Sequence, residues 1–154
     1  MIEVVVVCGI IALLAAIIVP SLLRSRTTTN EAAAIGNLRA LGVSIHVFQT
    51  QNNRFPSDWQ ADMYAGADPD FGPPSFDVSM AGSEVQGYLF TYAGQPAGCT
   101  NNCTGYTLMA NPESLATLGT RAFFLDQDGR IRHCTGAGPA DATDALITDP
   151  PLAC

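Results

Sequence analysis

The chain has 154 residues, a formal net charge of −7 and an isoelectric point near 4.4, a size that suits one globular domain plus an appendage. An acidic surface repels phosphate backbones, which sets nucleic acid aside as a partner. Charged residues make up only 14% of the chain, and the cause is local: from Met1 to Leu23 the only charged side chain is Glu3.

The first predicted element is apolar. Val4 to Val19 is an unbroken run of apolar, glycine and cysteine residues, extended past Ser21 by Leu22 and Leu23. As a helix, Met1 to Leu23 is about 35 Å long at ~1.5 Å per residue, enough to cross a hydrocarbon core of roughly 30 Å. Arg24 and Arg26 follow at once and belong at headgroups. A secretory signal peptide fits poorly, because no basic stretch precedes the run and no small-residue cleavage pattern follows it. Two residues do not suit a plain anchor. A carboxylate such as Glu3 costs several kcal/mol in hydrocarbon unless it is paired or near the headgroups. Pro20 removes one backbone hydrogen bond and crowds the carbonyl of Ala16, a cost of ~3 kcal/mol in a regular helix. Together with Gly9 it makes the helix locally deformable.

The stretch Met1-Ile2-Glu3-Val4-Val5-Val6-Val7, then Gly9-Ile10-Ile11-Ala12-Leu13-Leu14-Ala15-Ala16-Ile17-Ile18-Val19-Pro20, then Leu22-Leu23-Arg24-Ser25-Arg26, resembles the N-terminal helix of type IV pilins and type II secretion pseudopilins. The likeness continues through Asn30-Glu31-Ala32 and Ile35 to Leu38-Arg39, about the first third of the chain. Family members begin with Phe and a short residue, and their Glu lies two positions further from the terminus than Glu3. Either the first two mature residues are missing here or this member starts differently.

Beyond Arg26, Ala34, Leu38, Leu41, Ile45 and Phe48 recur at intervals of four and three and line one helical face, which Ile35, Val43 and Val47 widen. Thr28 followed by Glu31 fits a capping box that would restart a second helix. The resemblance favours one long, bent helix to about Gln51. Residues Asn52 to Gln86 are rich in Pro, Gly, Asp and Ser, with no long periodic segment. Trp59, Tyr64, Phe71 and Phe76 in it either pin this loop to the domain or form subunit contacts. Strands are expected over Gly87–Ala93, Tyr106–Ala110, Arg121–Leu125 and Arg130–Cys134, the last two joined by the turn Asp126-Gln127-Asp128-Gly129. The fold class is therefore α+β and pilin-like. The first half of its long helix is apolar and exposed, and the second half packs on a three- to four-stranded antiparallel sheet. Residues 1–26 form the membrane and polymerisation helix, and residues 27–154 form the rest of the helix and the head.

Few residues suggest site chemistry. Besides Cys8 in the apolar run, Cys99, Cys103, Cys134 and Cys154 form an even set that allows three pairings. No Cys-x-x-Cys occurs, and paired cysteines suit an exported domain. Zinc at Cys99, Cys103, His133 and Cys134 has loose spacing, and disulfides are favoured over it. Asp126 and Asp128 leave calcium as a minor option, with a solvated hairpin turn preferred. His46 and His133 have no nucleophile at a recognisable motif, and no phosphate loop occurs, so no enzyme is argued. No cofactor is expected. Asn102-Cys103-Thr104 matches a glycosylation sequon on a cysteine expected to be bonded.

The resemblance implies a structural subunit of an extracellular type IV pilus, with a pseudopilin or a membrane-anchored binding domain that never polymerises as alternatives. It implies processing and methylation of the terminus by a prepilin peptidase, residence in a bacterial inner membrane before assembly, and then a filament of identical subunits built by the pilus machinery. Glu3, Gly9 and Pro20 are the assembly residues, Glu3 pairing with the N-terminal amine of a neighbour. The expected bonds are Cys99–Cys103 and Cys134–Cys154, with Cys8 free.

Overall fold

The computed structural model describes every residue of the chain except Gly66, Asp68 and Ala137. One helix, α1, runs from Ile2 to Asn52 and passes through Pro20 without a break. Its 51 residues span about 76 Å. It ends where Asn53 takes a left-handed conformation (φ 53°, ψ 25°) and donates its backbone N–H to the carbonyl of Gln49. Asn tolerates this conformation better than most residues, so it makes a natural stop. There is no helix restart at Thr28. The hydroxyls of Thr27 and Thr28 both donate to the carbonyl of Arg24, and that of Thr29 to Ser25. The capping-box carboxylate, Glu31, is engaged elsewhere.

Seven strands follow among the described residues. They are β1 (Ala81–Val85), β2 (Tyr88–Gln95), β3 (Gly105–Pro112), β4 (Arg121–Asp126), β5 (Ile131–Thr135), β6 (Ala145–Leu146) and β7 (Leu152–Ala153). They form one sheet in the order β1-β2-β3-β4-β5-β6, antiparallel throughout, with β7 added parallel to β5. The long pairing is β2 with β3, in register from Tyr88 opposite Pro112 to Gln95 opposite Gly105. The α+β arrangement is as expected, but the sheet is wider than three or four strands. The four expected strands are its centre. The first edge strand, β1, lies inside the segment expected to be loop, and a register shift between Ala81 and Ser83 breaks its alternation. The strands β6 and β7 are two residues each, too short to leave a periodic trace.

The core lies between the second half of α1 and one face of the sheet. Ala34, Leu38, Leu41, Ile45 and Phe48 are buried there against Tyr88, Phe90, Tyr106, Leu108, Phe123 and Leu125. Gly42 marks the closest approach, since a Cβ there would sit 3.0 Å from Leu125 Cδ2. Val43 and Val47 do not widen the buried stripe; they are 65% and 46% exposed. At ~100° per residue they fall on the far side of α1 from Leu41, Ile45 and Phe48. The other face of the sheet is covered by the tail, where Ala140 packs with Ala122, Phe124 and Cys134. That explains why four successive residues of β4, Ala122 to Leu125, are all buried.

The long segment after α1 is held by its aromatic residues. Trp59 Nε1 donates to the carbonyl of Phe76 at 2.8 Å, and the Tyr64 hydroxyl donates to that of Pro73 at 2.9 Å. Phe76 meets Phe90 edge-on, and Phe71 meets Phe48 in the same way. Of the two readings of these aromatics, the structure places Trp59, Tyr64 and Phe76 in the core and leaves Phe71 half-buried.

Candidate assembly surface

The first half of α1 has no cover of its own. From Ile2 to Leu23 every large apolar side chain is at least half exposed, and the segment is long and apolar enough to cross a membrane. Glu3 sits in its first turn and forms no ion pair among the described residues. Gly9 and Pro20 are eleven positions apart, which places them on nearly the same side of the helix. A Cβ on Gly9 would meet nothing within 4 Å. The three expected assembly residues therefore lie on one bare helical rod, and the monomer satisfies none of them.

No protein-family model matches the chain. No curated protein matches it either.

Charge is divided between rod and head. Beyond Asn53 lie twelve of the fourteen carboxylates but only four of the seven arginines. On α1, Arg24, Arg26 and Arg39 are exposed, whereas Glu31 is buried and paired. Glu31 Oε1 accepts from the backbone N–H and the hydroxyl of Thr120 at 2.9 and 2.6 Å, and Oε2 accepts from Arg121 at 2.7 and 2.8 Å. Burial pushes the Glu31 carboxyl up, but the Thr120 donors and the Arg121 guanidinium outweigh it and hold it below its usual value. Arg121 also lies over the ring of Phe123 and donates to His133 Nδ1, while His133 Nε2–H donates to the carbonyl of Asp149. This network joins α1, β4, β5 and the tail. The sequence holds a signal for it, because Glu31 continues the three- and four-residue spacing of Ala34, Leu38 and Leu41, and a carboxylate in a core register needs a partner.

A second anchored carboxylate is Asp62. Burial raises its pKa, but Arg54 at 2.8 Å and the Ser57 and Asp58 donors bring it down to about 2. A concavity of about 560 Å³ opens beside this pair, lined also by Asp70, and Arg54 and Asp62 are already spent on each other.

The cysteines join as Cys99–Cys103 and Cys134–Cys154, with Cys8 free and exposed. The zinc set therefore has no thiolate to offer. Asp126 Oδ1 accepts the backbone N–H of Asp128, so this carboxylate closes its own hairpin turn. Among the described residues no three His, Cys, Asp or Glu side chains come together as a metal group.

A cleft of about 420 Å³ lies between α1 and the β4–β5 turn, lined by Arg39, Val43, His46, Tyr106 and Ile131 among others. At its floor the Tyr106 hydroxyl is buried with no hydrogen-bond partner. Burial, and then the charge of Asp126, push this phenol up to about 12, so it stays a donor.

Proposed function

We propose that this chain is a non-enzymatic type IV pilin-like subunit, held in a membrane by α1 and polymerised through it into a filament of identical copies. The observation that carries the reading is the apolar segment Ile2–Leu23, exposed on every side and continuous with the helix that forms the core of the head. An apolar surface of this extent does not stay bare in water; lipid and other helices are the covers that suit it. Membrane residence before assembly and a helical bundle after it give the same surface two successive covers. The likeness of this segment to pilin helices supports the second cover.

Within such a bundle an unpaired Glu3 carboxylate is costly, and a neighbour's N-terminal amine is the counter-charge that the resemblance supplies. Two disulfides suit a head exposed outside the cytoplasm. Processing by a prepilin peptidase and assembly by pilus machinery in a bacterial inner membrane belong to the same reading.

The test is electron microscopy of material sheared from cells expressing the chain, with wild type beside Glu3→Gln. The expected result is long filaments from the wild type, with the variant found in the membrane but not in filaments. Short periplasmic assemblies would move the chain to the pseudopilins. Monomers in the membrane with no assembly from the wild type would defeat the filament reading, and normal filament yield from Glu3→Gln would defeat the reading of Glu3 as an assembly residue.

A further inference from the structure

The cleft between α1 and the β4–β5 turn has a hydrogen-bond donor built into it. Tyr106 is fully buried, and its hydroxyl has no hydrogen-bond partner among the described residues. Its ring packs against three others, with centroids 5.4 Å away at Phe55, 6.0 Å at His46 and 6.2 Å at Tyr92. A ring wedged in this way fixes its oxygen, so the hydroxyl cannot swing to another acceptor. Buried tyrosine hydroxyls ordinarily find one, and leaving a buried donor unmet is costly. The backbone of α1 leaves the oxygen uncapped: a Cβ on Gly42, which also lines the cleft, would lie 3.6 Å from it.

The rest of the lining decides what suits that donor. Val43, Leu125 and Ile131 give apolar walls, so a lone water molecule there would find few of the partners it needs. Arg39 is the only Arg, Lys, Asp or Glu of the lining; it is exposed and forms no ion pair among the described residues. Asp126 is near enough for its charge to reach the Tyr106 hydroxyl, but it does not line the cleft, and its Oδ1 already accepts the Asp128 N–H. A volume of about 420 Å³ is within the range of small-molecule sites. A fixed donor, a free cation and apolar walls together suit an anionic acceptor carried on an apolar body.

We propose that the cleft binds a small monocarboxylate with an apolar, ring-sized body. The carboxylate accepts from the Tyr106 hydroxyl and pairs with Arg39, and the body lies against Val43, Leu125 and Ile131. The site is complete within one chain, so it goes beyond the filament reading and does not depend on it.

The probe is para-fluorophenylacetate, titrated by fluorine NMR into the full-length chain held in a non-ionic detergent. Saturable binding is expected, weakened roughly tenfold or more by Tyr106→Phe and by Arg39→Gln. The uncharged para-fluorophenylacetamide, close to it in shape, is expected to bind the wild type roughly tenfold more weakly. Tyr106→Phe removes only the unpartnered oxygen, so the urea midpoint of the head stays where it is or rises. Arg39→Gln alters an exposed side chain and leaves that midpoint unchanged. Equal affinity of the wild type and Tyr106→Phe, which marks partition into the micelle or adventitious binding only, would overturn the proposal. So would the absence of saturable binding, or an amide that binds as tightly as the acid. A urea midpoint that falls in Tyr106→Phe would overturn it too, since the hydroxyl would then already be satisfied. Each of these outcomes leaves the filament reading standing, because none involves assembly.

Discussion

Glu31 shows how one side chain can serve two packing tasks. It occupies the core register of α1, yet its four contacts all reach across to Thr120 and Arg121. Removing it leaves the Arg121 guanidinium and two Thr120 donors without their acceptor. Glu31→Ala is therefore expected to destabilise the head by about 2–3 kcal/mol in urea unfolding, less than a fully buried pair because the Arg121 side chain is 30% exposed. A loss under about 0.5 kcal/mol would show the network to be incidental. This residue is only half legible in the sequence. Its spacing from Ala34 and Leu38 puts it on the buried face, but the spacing from Thr28 fits a helix cap equally well. Only the continuity of α1 decides between them. Glu3, Gly9 and Pro20 are legible for a simpler reason: each is anomalous against its immediate neighbours. Tyr106 is not, because its missing partner becomes visible only when α1, β3 and the β4–β5 turn converge.

Among the elements, the tail and the long segment after α1 depend on few ties each. The Cys134–Cys154 bond closes a span of 20 residues and fixes the short strand β7 beside β5. Chain-entropy reasoning gives it about 3 kcal/mol, against about 2 for the tight Cys99–Cys103 loop. Replacing both cysteines of the first pair by serine should lower stability in urea by the larger amount, and replacing both of the second by the smaller; the reverse order would contradict this. The segment after α1 is tied by Asp62. Its carboxyl is held at about 2 in the folded chain, below the ordinary aspartate value, so the stability it contributes is full above about pH 4 and fades as pH falls toward 2. Asp62→Asn should flatten that part of the acid unfolding curve followed by Trp59 fluorescence, and an unchanged curve would refute the assignment. Strands β2 to β5 can be read from alternation and from the Asp-Gly turn. The edge β1 cannot, since Gly82 and the register shift erase its period. The strands β6 and β7 owe their pairing to where a disulfide and a distant strand hold the tail, which no local pattern records.

For the whole molecule, the unbroken α1 of the single chain and the crowding of the proposed filament make different demands. In lipid the helix must satisfy its own backbone. In a bundle it need not, and the stretch before Pro20 has the least to lose because one bond is already absent. Filaments are expected to show a non-helical break within about Leu13 to Leu22, with regular helix resuming near Leu23 and running to about Gln51. A filament map with continuous helical hydrogen bonds from Ile11 through Ala16 would exclude it. The uneven placement of charge has a consequence on a larger scale still. If the arginine-bearing rods wind inward and the heads outward, the filament is a polyanion, a cylinder whose surface repels its own kind beyond a Debye length of about 8 Å at physiological salt. Such cylinders stay dispersed in monovalent salt and condense into bundles when divalent counterions bridge them. Millimolar magnesium should therefore raise the turbidity of a filament suspension where equal ionic strength of sodium does not, and equal responses to the two would show that the carboxylates of the heads do not govern how filaments meet.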